Sequence, residues 1–227
     1  MIDYHIVITA AGPLLPAQAI RLARSSGLRA AGLILRTDTS LLGPQLAAMS
    51  AAVRKFSIYA DIEAFLGVEL VQVPPALLPE AVSEARALGA SLVLGHGEGI
   101  PDSPVEAVEA GSNFAAIAAG VDILAQPGLI TAQDAEYAAQ KGVLLELTLA
   151  WRHCLANGHV AAMARRFGCG LVPGSAAASP RDFLSPEAAK TLRRAAALGA
   201  GLDNAGIADM EACSHRLLQQ LLTKKRV

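Results

Sequence analysis

The chain has 227 residues, of which 53% are hydrophobic and 17% are charged, and its formal net charge is −1. This composition supplies enough apolar surface for a folded core and excludes an intrinsically disordered chain. The near-neutral charge and the 4% of aromatic residues argue against a nucleic-acid-binding protein, because phosphate backbones attract basic surfaces and bases stack on aromatic rings.

Short runs of β-branched and leucine residues alternate with alanine-rich stretches of helical spacing along the chain. This alternation is typical of βα units that build a parallel sheet. Seven strands are predicted, near residues 4–9, 30–35, 68–73, 91–95, 121–125, 143–148 and 170–173. Helices are predicted at Pro16–Ser26, Leu41–Lys55, Pro79–Leu88, Thr131–Lys141, Gly158–Phe167 and Pro186–Leu198, with a last amphipathic helix at Asp203–Lys225.

No linker rich in Ser, Gly or Pro divides the sequence, so we predict a single α/β domain over residues 1–227. Polar or charged residues interrupt each apolar run before it reaches the roughly 18–20 residues that span a bilayer. The three cysteines, Cys154, Cys169 and Cys213, are odd in number and lack CxxC spacing, which fits a reducing compartment. We therefore expect a soluble, cytoplasmic protein with no membrane partner.

Groups of polar residues follow several predicted strands. They lie in Ile2-Asp3-Tyr4-His5, Gly67-Val68-Glu69-Leu70, Leu94-Gly95-His96-Gly97-Glu98, Gln126-Pro127-Gly128, and the stretch from Glu146 to His159. In this order the segments resemble the polymerase and histidinol phosphatase (PHP) family, over nearly the whole chain. The resemblance implies a distorted seven-stranded (β/α)7 TIM-like barrel, closed by the C-terminal helix, with metal-dependent phosphate ester hydrolysis as the family's usual activity.

Most metal ligands of the family's active members are replaced in this sequence. Where the family has His-x-His followed by Ser-Asp-Gly, this sequence has His5, Val7 and Ala10-Ala11-Gly12. Ile34-Leu35-Arg36 stands in place of Thr-Asp-His, and Ser175-Ala176-Ala177-Ala178 stands in place of the last motif. Gln72 and Gln126 each replace a single histidine. Arg36 cannot coordinate a metal, because a guanidinium has no lone pair at ordinary pH.

The resemblance leaves His5, Glu69 and His96 as metal-ligand candidates, which could hold a single divalent ion such as Zn, Mn or Fe. A cluster of two or three ions needs more donors than these three side chains offer. Without the cluster, water is not converted to hydroxide and the oxyanion is not clamped. We therefore expect no resident cofactor and little or no hydrolysis.

Arg36 and Glu69 end neighbouring predicted strands, and a carboxylate inside a barrel must be paired. We predict that the guanidinium pairs with Glu69 and occupies space vacated by metal. Glu146 ends the sixth predicted strand and is expected to be another carboxylate at the barrel mouth, with an arginine as its partner if it has no catalytic role.

Two further groups are candidates for function. His96 and Glu98 could act as acid and base, or form a simple polar pair in their loop. The ligand-binding candidates are Arg36, Arg152, His153, Asn157 and His159. The amides of a helix that begins near Asn157 could hold a small anion or phosphate, and plain capping of that helix by Asn157 is the alternative.

Two main hypotheses remain open from the sequence. The first is a catalytically silent relative, a pseudoenzyme that binds a small, phosphorylated or anionic molecule at the barrel mouth. The second is an active phosphoesterase of histidinol phosphatase type that uses one ion held by His5, Glu69 and His96. A third hypothesis is that the protein is a protein-interaction module, which a stable homo-oligomer would favour.

Overall fold

The computed structural model describes residues 1–9, 12–100 and 108–225. The motif positions Ala10 and Ala11, together with residues 101–107 and 226–227, lie outside this range.

Seven parallel strands form one sheet in chain order. They are β1 (Ile2–Val7), β2 (Ala30–Thr37), β3 (Glu63–Leu70), β4 (Leu92–His96), β5 (Ile123–Ala125), β6 (Leu144–Thr148) and β7 (Leu171–Gly174). The first strand also meets the chain that follows β7, because the Val7 amide donates to the Ala177 carbonyl at 2.8 Å. The sheet is therefore a nearly closed, TIM-like α/β barrel, which confirms the predicted fold class.

Eight α-helices cover the barrel in the described part of the chain. They are α1 (Pro16–Ser25), α2 (Leu42–Ala60), α3 (Leu78–Ala87), α4 (Ser112–Ala119), α5 (Ala132–Lys141), α6 (Asn157–Phe167), α7 (Pro186–Gly199) and α8 (Asn204–Lys225). Short 3₁₀ helices span Pro75–Leu77, His153–Ala156 and Pro180–Asp182. Within the described ranges, no helix is both long and apolar enough to cross a membrane.

The structure corrects three predicted elements. Strand β3 begins at Glu63 rather than near residue 68, and β1 begins at Ile2 rather than near residue 4. Both starts are set by pairing, because Ile2 and Glu63 lie opposite Ala30 on either side of β2. Helix α4 was not predicted, since it has eight residues, no side-chain cap and no acidic residue in its first turn.

The amino-terminal end of the barrel interior is apolar. Helix α8 covers this end with Leu217, Leu218 and Leu221, which pack on a layer from the strands that includes Tyr4 and Phe65. The Tyr4 hydroxyl donates to the Ser214 carbonyl of α8 at 2.6 Å. A second apolar layer fills the space between the strands and the surrounding helices.

The carboxyl-terminal end of the interior is polar because successive side chains on one face of a strand are two residues apart. The inward positions change there from apolar or small to polar: Ile34 to Arg36, Gly67 to Glu69, Leu94 to His96 and Leu144 to Glu146. Together with His5, these four polar residues form what we call the mouth network.

Candidate functional site at the barrel mouth

His5 lies at the centre of the mouth network and bridges two carboxylates. Its Nδ1 is 2.7 Å from Glu146 Oε1, and its Nε2 is 3.1 Å from Glu69 Oε2. Both nitrogens must donate a proton to serve both carboxylates, so the geometry assigns a protonated imidazolium. Burial alone would lower the pKa of His5, but the charges and hydrogen bonds of Glu146 and Glu69 raise that pKa well above its usual range.

Glu69 is wholly buried and has three partners in the mouth network. Besides His5, it forms an ion pair with Arg36, whose Nε lies 2.9 Å from Glu69 Oε2, and it accepts from His96 Nδ1 at 2.6 Å. The predicted pair of Arg36 and Glu69 is therefore confirmed. Burial would raise the pKa of Glu69, but the charge of His5 and the hydrogen bonds of His5 and His96 hold that pKa well below its usual range.

His96 is oriented by Glu69. Arg36 Nη2 is also 3.4 Å from His96 Nδ1, but one nitrogen cannot donate to a carboxylate and accept from a guanidinium at the same time. The 2.6 Å contact with Glu69 is the stronger of the two, because it is shorter and charge-assisted. His96 Nδ1 therefore carries the proton, and in the neutral ring Nε2 keeps its lone pair.

The mouth network balances its own charge. The carboxylates Glu69 and Glu146 are offset by the His5 imidazolium and the Arg36 guanidinium. In the described part of the chain, no three or more His, Cys, Asp or Glu side chains are arranged to hold a metal ion. The donors present do not fit a divalent ion in this arrangement, because both nitrogens of His5 and both oxygens of Glu69 already have partners. The metal-ligand role of His5, Glu69 and His96 stays a prediction.

Glu146 has a different partner from the expected arginine. One of its oxygens bonds His5, and the other accepts from the backbone amide of Gln126 at 3.1 Å. His5 and Glu146 are 141 residues apart and meet because the sheet curves into a barrel, so their contact was not predicted.

Gln126, which replaces the histidine of the family's His-Pro-Gly motif, carries an unsatisfied acceptor. Gln126 is 5% exposed, its φ is 52°, and its Oε1 has no hydrogen-bond partner among the described residues. A buried acceptor without a donor costs free energy unless a ligand or water supplies one. The substitution singled out this position as a lost ligand, but nothing in the sequence indicated a polar atom left for another molecule.

Glu98 is committed to helix α4 and does not pair with His96. Its Oε1 accepts from the amides of Gly111 at 2.9 Å and Asn113 at 3.0 Å. A carboxylate at this place satisfies the first free amides of the helix and complements its dipole. The proposed acid and base therefore have different partners, and a catalytic role for either residue stays a prediction.

Two of the predicted anion-binding residues lie near the mouth network. The ring of His153 meets the ring of His96 edge-on, with centroids 6.3 Å apart. Arg152 is exposed beside it and has a positive φ of 64°, which turns the chain into the following 3₁₀ helix. Their ligand-binding role, like that of Arg36, stays a prediction.

The other two predicted anion-binding residues hold loops together. Asn157 clamps Thr148, donating to its carbonyl at 2.8 Å and accepting from its amide at 3.2 Å. His159 Nε2 lies 2.7 Å from the Ile130 carbonyl. The alternative that Asn157 caps the helix is wrong, because α6 continues from the preceding 3₁₀ helix and its N-cap is Ala156, with no side-chain bond.

Solved structures share this fold at low sequence identity. A protein chain of the cryo-EM structure of archaeal ribonuclease P with mature tRNA has a TM-score of 0.68 and 15% identity, covering 100% of this chain and 94% of that chain. Histidinol phosphate phosphatase of Lactococcus lactis, solved with zinc, L-histidinol and phosphate, has a TM-score of 0.57 and 16% identity, covering 86% and 93%. Enamidase, of the amidohydrolase superfamily, has a TM-score of 0.56 and 15% identity, and the match covers 82% of this chain and 58% of that chain. The likeness shows the fold alone.

Sequence comparison adds a relative that is nearer in sequence than these structures. No family model matches the chain. An uncharacterized protein of Methanocaldococcus jannaschii is 35% identical over 205 residues, which cover 89% of this chain and 90% of that protein. Identity at this level over nearly the full length of both proteins means that the chain belongs to the same family as this archaeal protein.

Proposed function

We propose that this protein is a catalytically silent relative of the polymerase and histidinol phosphatase barrels that binds a small anionic or phosphorylated ligand at the barrel mouth. The observation that carries the proposal is the 2.9 Å contact between Arg36 Nε and Glu69 Oε2. A fixed cation bonds the carboxylate that a metal ion would need. The fold shared with histidinol phosphate phosphatase supports the relationship at the level of architecture.

The protonation of the mouth network supports the absence of turnover. Hydrolysis by such a site needs a Lewis acid to generate hydroxide from water. His5 would have to lose its proton and leave one carboxylate before it could offer a lone pair to a metal. Glu69 would have to leave Arg36 and His96 as well. Each step breaks a buried charged hydrogen bond, which costs more than breaking an exposed one.

The charges accessible at the mouth support an anionic ligand. Glu69 and Glu146 are buried and neutralised by their partners, so they present little negative charge to solvent. The Arg36 side chain is 44% exposed, although its Nε lies 2.9 Å from Glu69 Oε2. Arg152 is exposed next in the chain to His153, whose ring meets that of His96. Guanidinium groups bind phosphate and carboxylate oxygens through paired N–H donors, so an anion at this rim would have its binding groups already in place.

Measurements of metal content and of turnover test directly whether the protein is catalytically silent. Protein purified without chelator is analysed for metals and assayed with a chromogenic phosphomonoester in Mn²⁺ and Zn²⁺. We expect less than stoichiometric metal and no metal-dependent turnover for the wild type. Stoichiometric metal together with turnover would contradict the proposal.

Binding of inorganic phosphate, followed by NMR titration, tests the ligand part of the proposal. Arg36→Gln is expected to weaken binding about tenfold, because it removes a charged donor from the mouth. The matched control is Arg165→Gln, which makes the same change on the exposed surface of α6. Equal affinity in the two variants would contradict binding at the mouth.

The alternative is an active phosphoesterase with a one-ion site of His5, Glu69 and His96. The lone pair on His96 Nε2 is the observation that favours it. On this alternative Arg36 competes with the metal for Glu69, so Arg36→Ala should raise metal affinity and turnover. On our proposal Arg36→Ala gains neither, and the same two assays distinguish the cases.

A second candidate function is a protein component of a ribonucleoprotein. It is favoured by the TM-score of 0.68 to a chain of archaeal ribonuclease P, over the full length of this protein. The net charge of −1 argues that any such role would depend on protein contacts rather than on direct binding of RNA. A mobility-shift titration with tRNA tests this: a salt-sensitive shift by the isolated protein would show direct RNA binding, which we do not expect.

A further inference from the structure

A second cleft lies away from the mouth, near the amino-terminal ends of β1 and β2. It has a volume of about 670 Å³ and runs between helices α7 and α8. We call it the α7–α8 cleft; its lining includes Ile2, Pro186, Lys190, Arg194, Met210 and His215. Small-molecule sites commonly enclose about 300–1,000 Å³, so the cleft is large enough for a metabolite-sized ligand.

The cleft carries cations that the protein leaves available. Lys190 makes no hydrogen bond or ion pair with the described residues, and Arg194 donates only to the neutral Asn204 side chain, at 3.0 Å. Lys190 and Arg194 are four residues apart on α7 and therefore lie on the same face of that helix. Two cations that share a face without a carboxylate partner form a ready site for an anion.

The other charged side chains at the cleft do not pair with Lys190 or Arg194 in the described part of the chain. Arg193 is already used, because its Nη2 is 2.9 Å from Asp3 Oδ2. Arg29 contacts the ring of His215, which lines the cleft. Two carboxylates, those of Glu187 and Glu211, also line the cleft, and neither forms an ion pair with Lys190 or Arg194 among the described residues.

The remaining wall of the cleft is apolar. Ile207 and Met210 of α8 line one side, and Pro186 of α7 and Ile2 of β1 line another. A site with convergent cations beside apolar side chains suits a molecule that has both an anionic group and an apolar body. A free inorganic ion would use only the cations.

We propose that the α7–α8 cleft binds a small organic anion, whose phosphate or carboxylate contacts Lys190 and Arg194 and whose apolar body packs on Ile207 and Met210. This site is separate from the proposed ligand site at the barrel mouth, because it lies near the amino-terminal ends of the strands and uses residues outside the mouth network.

Isothermal titration with matched probes tests the site. Phenyl phosphate and benzoate represent the two anionic groups. Inorganic phosphate lacks the apolar body, and phenol lacks the anionic group. We expect phenyl phosphate, benzoate or both to bind more tightly than inorganic phosphate and phenol. Which of the two binds better identifies the anionic group. Absence of binding by both at millimolar concentration, or affinities no higher than that of inorganic phosphate, would overturn the proposal.

Variants locate the binding. Lys190→Gln should weaken the bound probe about tenfold, whereas Arg165→Gln on α6 should leave its affinity unchanged. Lys190 is exposed and unpaired among the described residues, so its substitution should not disturb folding. Arg36→Gln at the mouth separates the two proposals. Loss of probe affinity in Arg36→Gln with no loss in Lys190→Gln would overturn the cleft site and favour the mouth.

Discussion

The two ends of the barrel interior are built from opposite chemistry. At the amino-terminal end, α8 covers an apolar layer, and the Tyr4 hydroxyl makes a single polar contact with Ser214. At the carboxyl-terminal end, His5, Glu69 and Glu146 are almost wholly buried and form a charged network with Arg36. The same seven strands therefore enclose an apolar layer at the amino-terminal end, which we call the floor, and a charged network at the mouth.

This difference separates stability from function. Apolar burial contributes roughly 25 cal/mol for each Å² removed from water, so the floor stabilises the fold directly. Buried charges lose hydration, and their pairing often no more than offsets that cost. An ionic mouth is thus not the most stable way to fill a barrel. Its charges are offset within the network, which explains how buried carboxylates are tolerated at this end of the barrel.

Removing one charge from the mouth should produce the largest loss of stability. We expect Glu69→Gln to lower the free energy of unfolding by about 4 kcal/mol, because it leaves His5 and Arg36 without their shared carboxylate. Urea denaturation at neutral pH measures the loss. Glu84→Gln, on the exposed surface of α3, is the matched control and should change stability by less than about 0.5 kcal/mol. Equal stability of the two variants would show that the network does not form in solution.

A cavity in the floor should cost somewhat less. Leu221 is 1% exposed and packs under the barrel, so we expect Leu221→Ala to lower the free energy of unfolding by about 3 kcal/mol. The loss should be the same from pH 6 to pH 8, because no ionisation is involved. A negligible loss in urea denaturation would mean that α8 does not close the barrel.

The mouth should also make stability depend on pH. The pKa of His5 is raised well above its usual 6.5, so the folded state keeps a proton that the unfolded chain releases. Its contribution is complete below pH 6.5 and is lost as pH rises toward the raised pKa, by up to about 1.4 kcal/mol for each pH unit. Urea denaturation between pH 6.5 and 8.5 should show this decline, and His5→Gln should remove it. A wild-type curve that is flat over this range would argue against the imidazolium.

The smallest effect is expected from the hydrogen bond between Tyr4 and helix α8. Tyr4→Phe removes the hydroxyl that donates to the Ser214 carbonyl but keeps the buried ring. We expect a loss of about 1 kcal/mol in thermal or urea unfolding, which is typical of a neutral hydrogen bond. A loss as large as that of Glu69→Gln would show that the floor, too, depends on polar contacts.

Contacts between neighbouring strands were accessible from the sequence. Arg36 and Glu69 have opposite charges at the ends of consecutive strands, and consecutive parallel strands lie side by side, so their pairing could be predicted and is confirmed. The bond between His5 and Glu146 joins β1 to β6 across the barrel. No local pattern reports that distance, because it depends on how far the sheet curves before it closes.

The structure also gives several polar side chains partners that residue type alone did not indicate. Glu98 and Asn157 were candidates for acid–base catalysis and anion binding, yet Glu98 bonds the first amides of α4 and Asn157 clamps Thr148. Helix α4 was itself not predicted, so its need for a carboxylate could not be foreseen. A side chain with several uses takes the one that nearby unsatisfied backbone groups offer.

The sequence by itself determined the βα alternation of a parallel α/β fold, because apolar periodicity is a local property. The closed barrel and the replaced ligand positions were implied by the resemblance to the PHP family, which depends on residue identity. The tertiary structure alone decided the protonation of His5, the unsatisfied oxygen of Gln126 and the charged cleft between α7 and α8. Each of these depends on distances between groups far apart in the chain. Such distances follow from barrel closure and helix packing, and short sequence patterns carry no information about them.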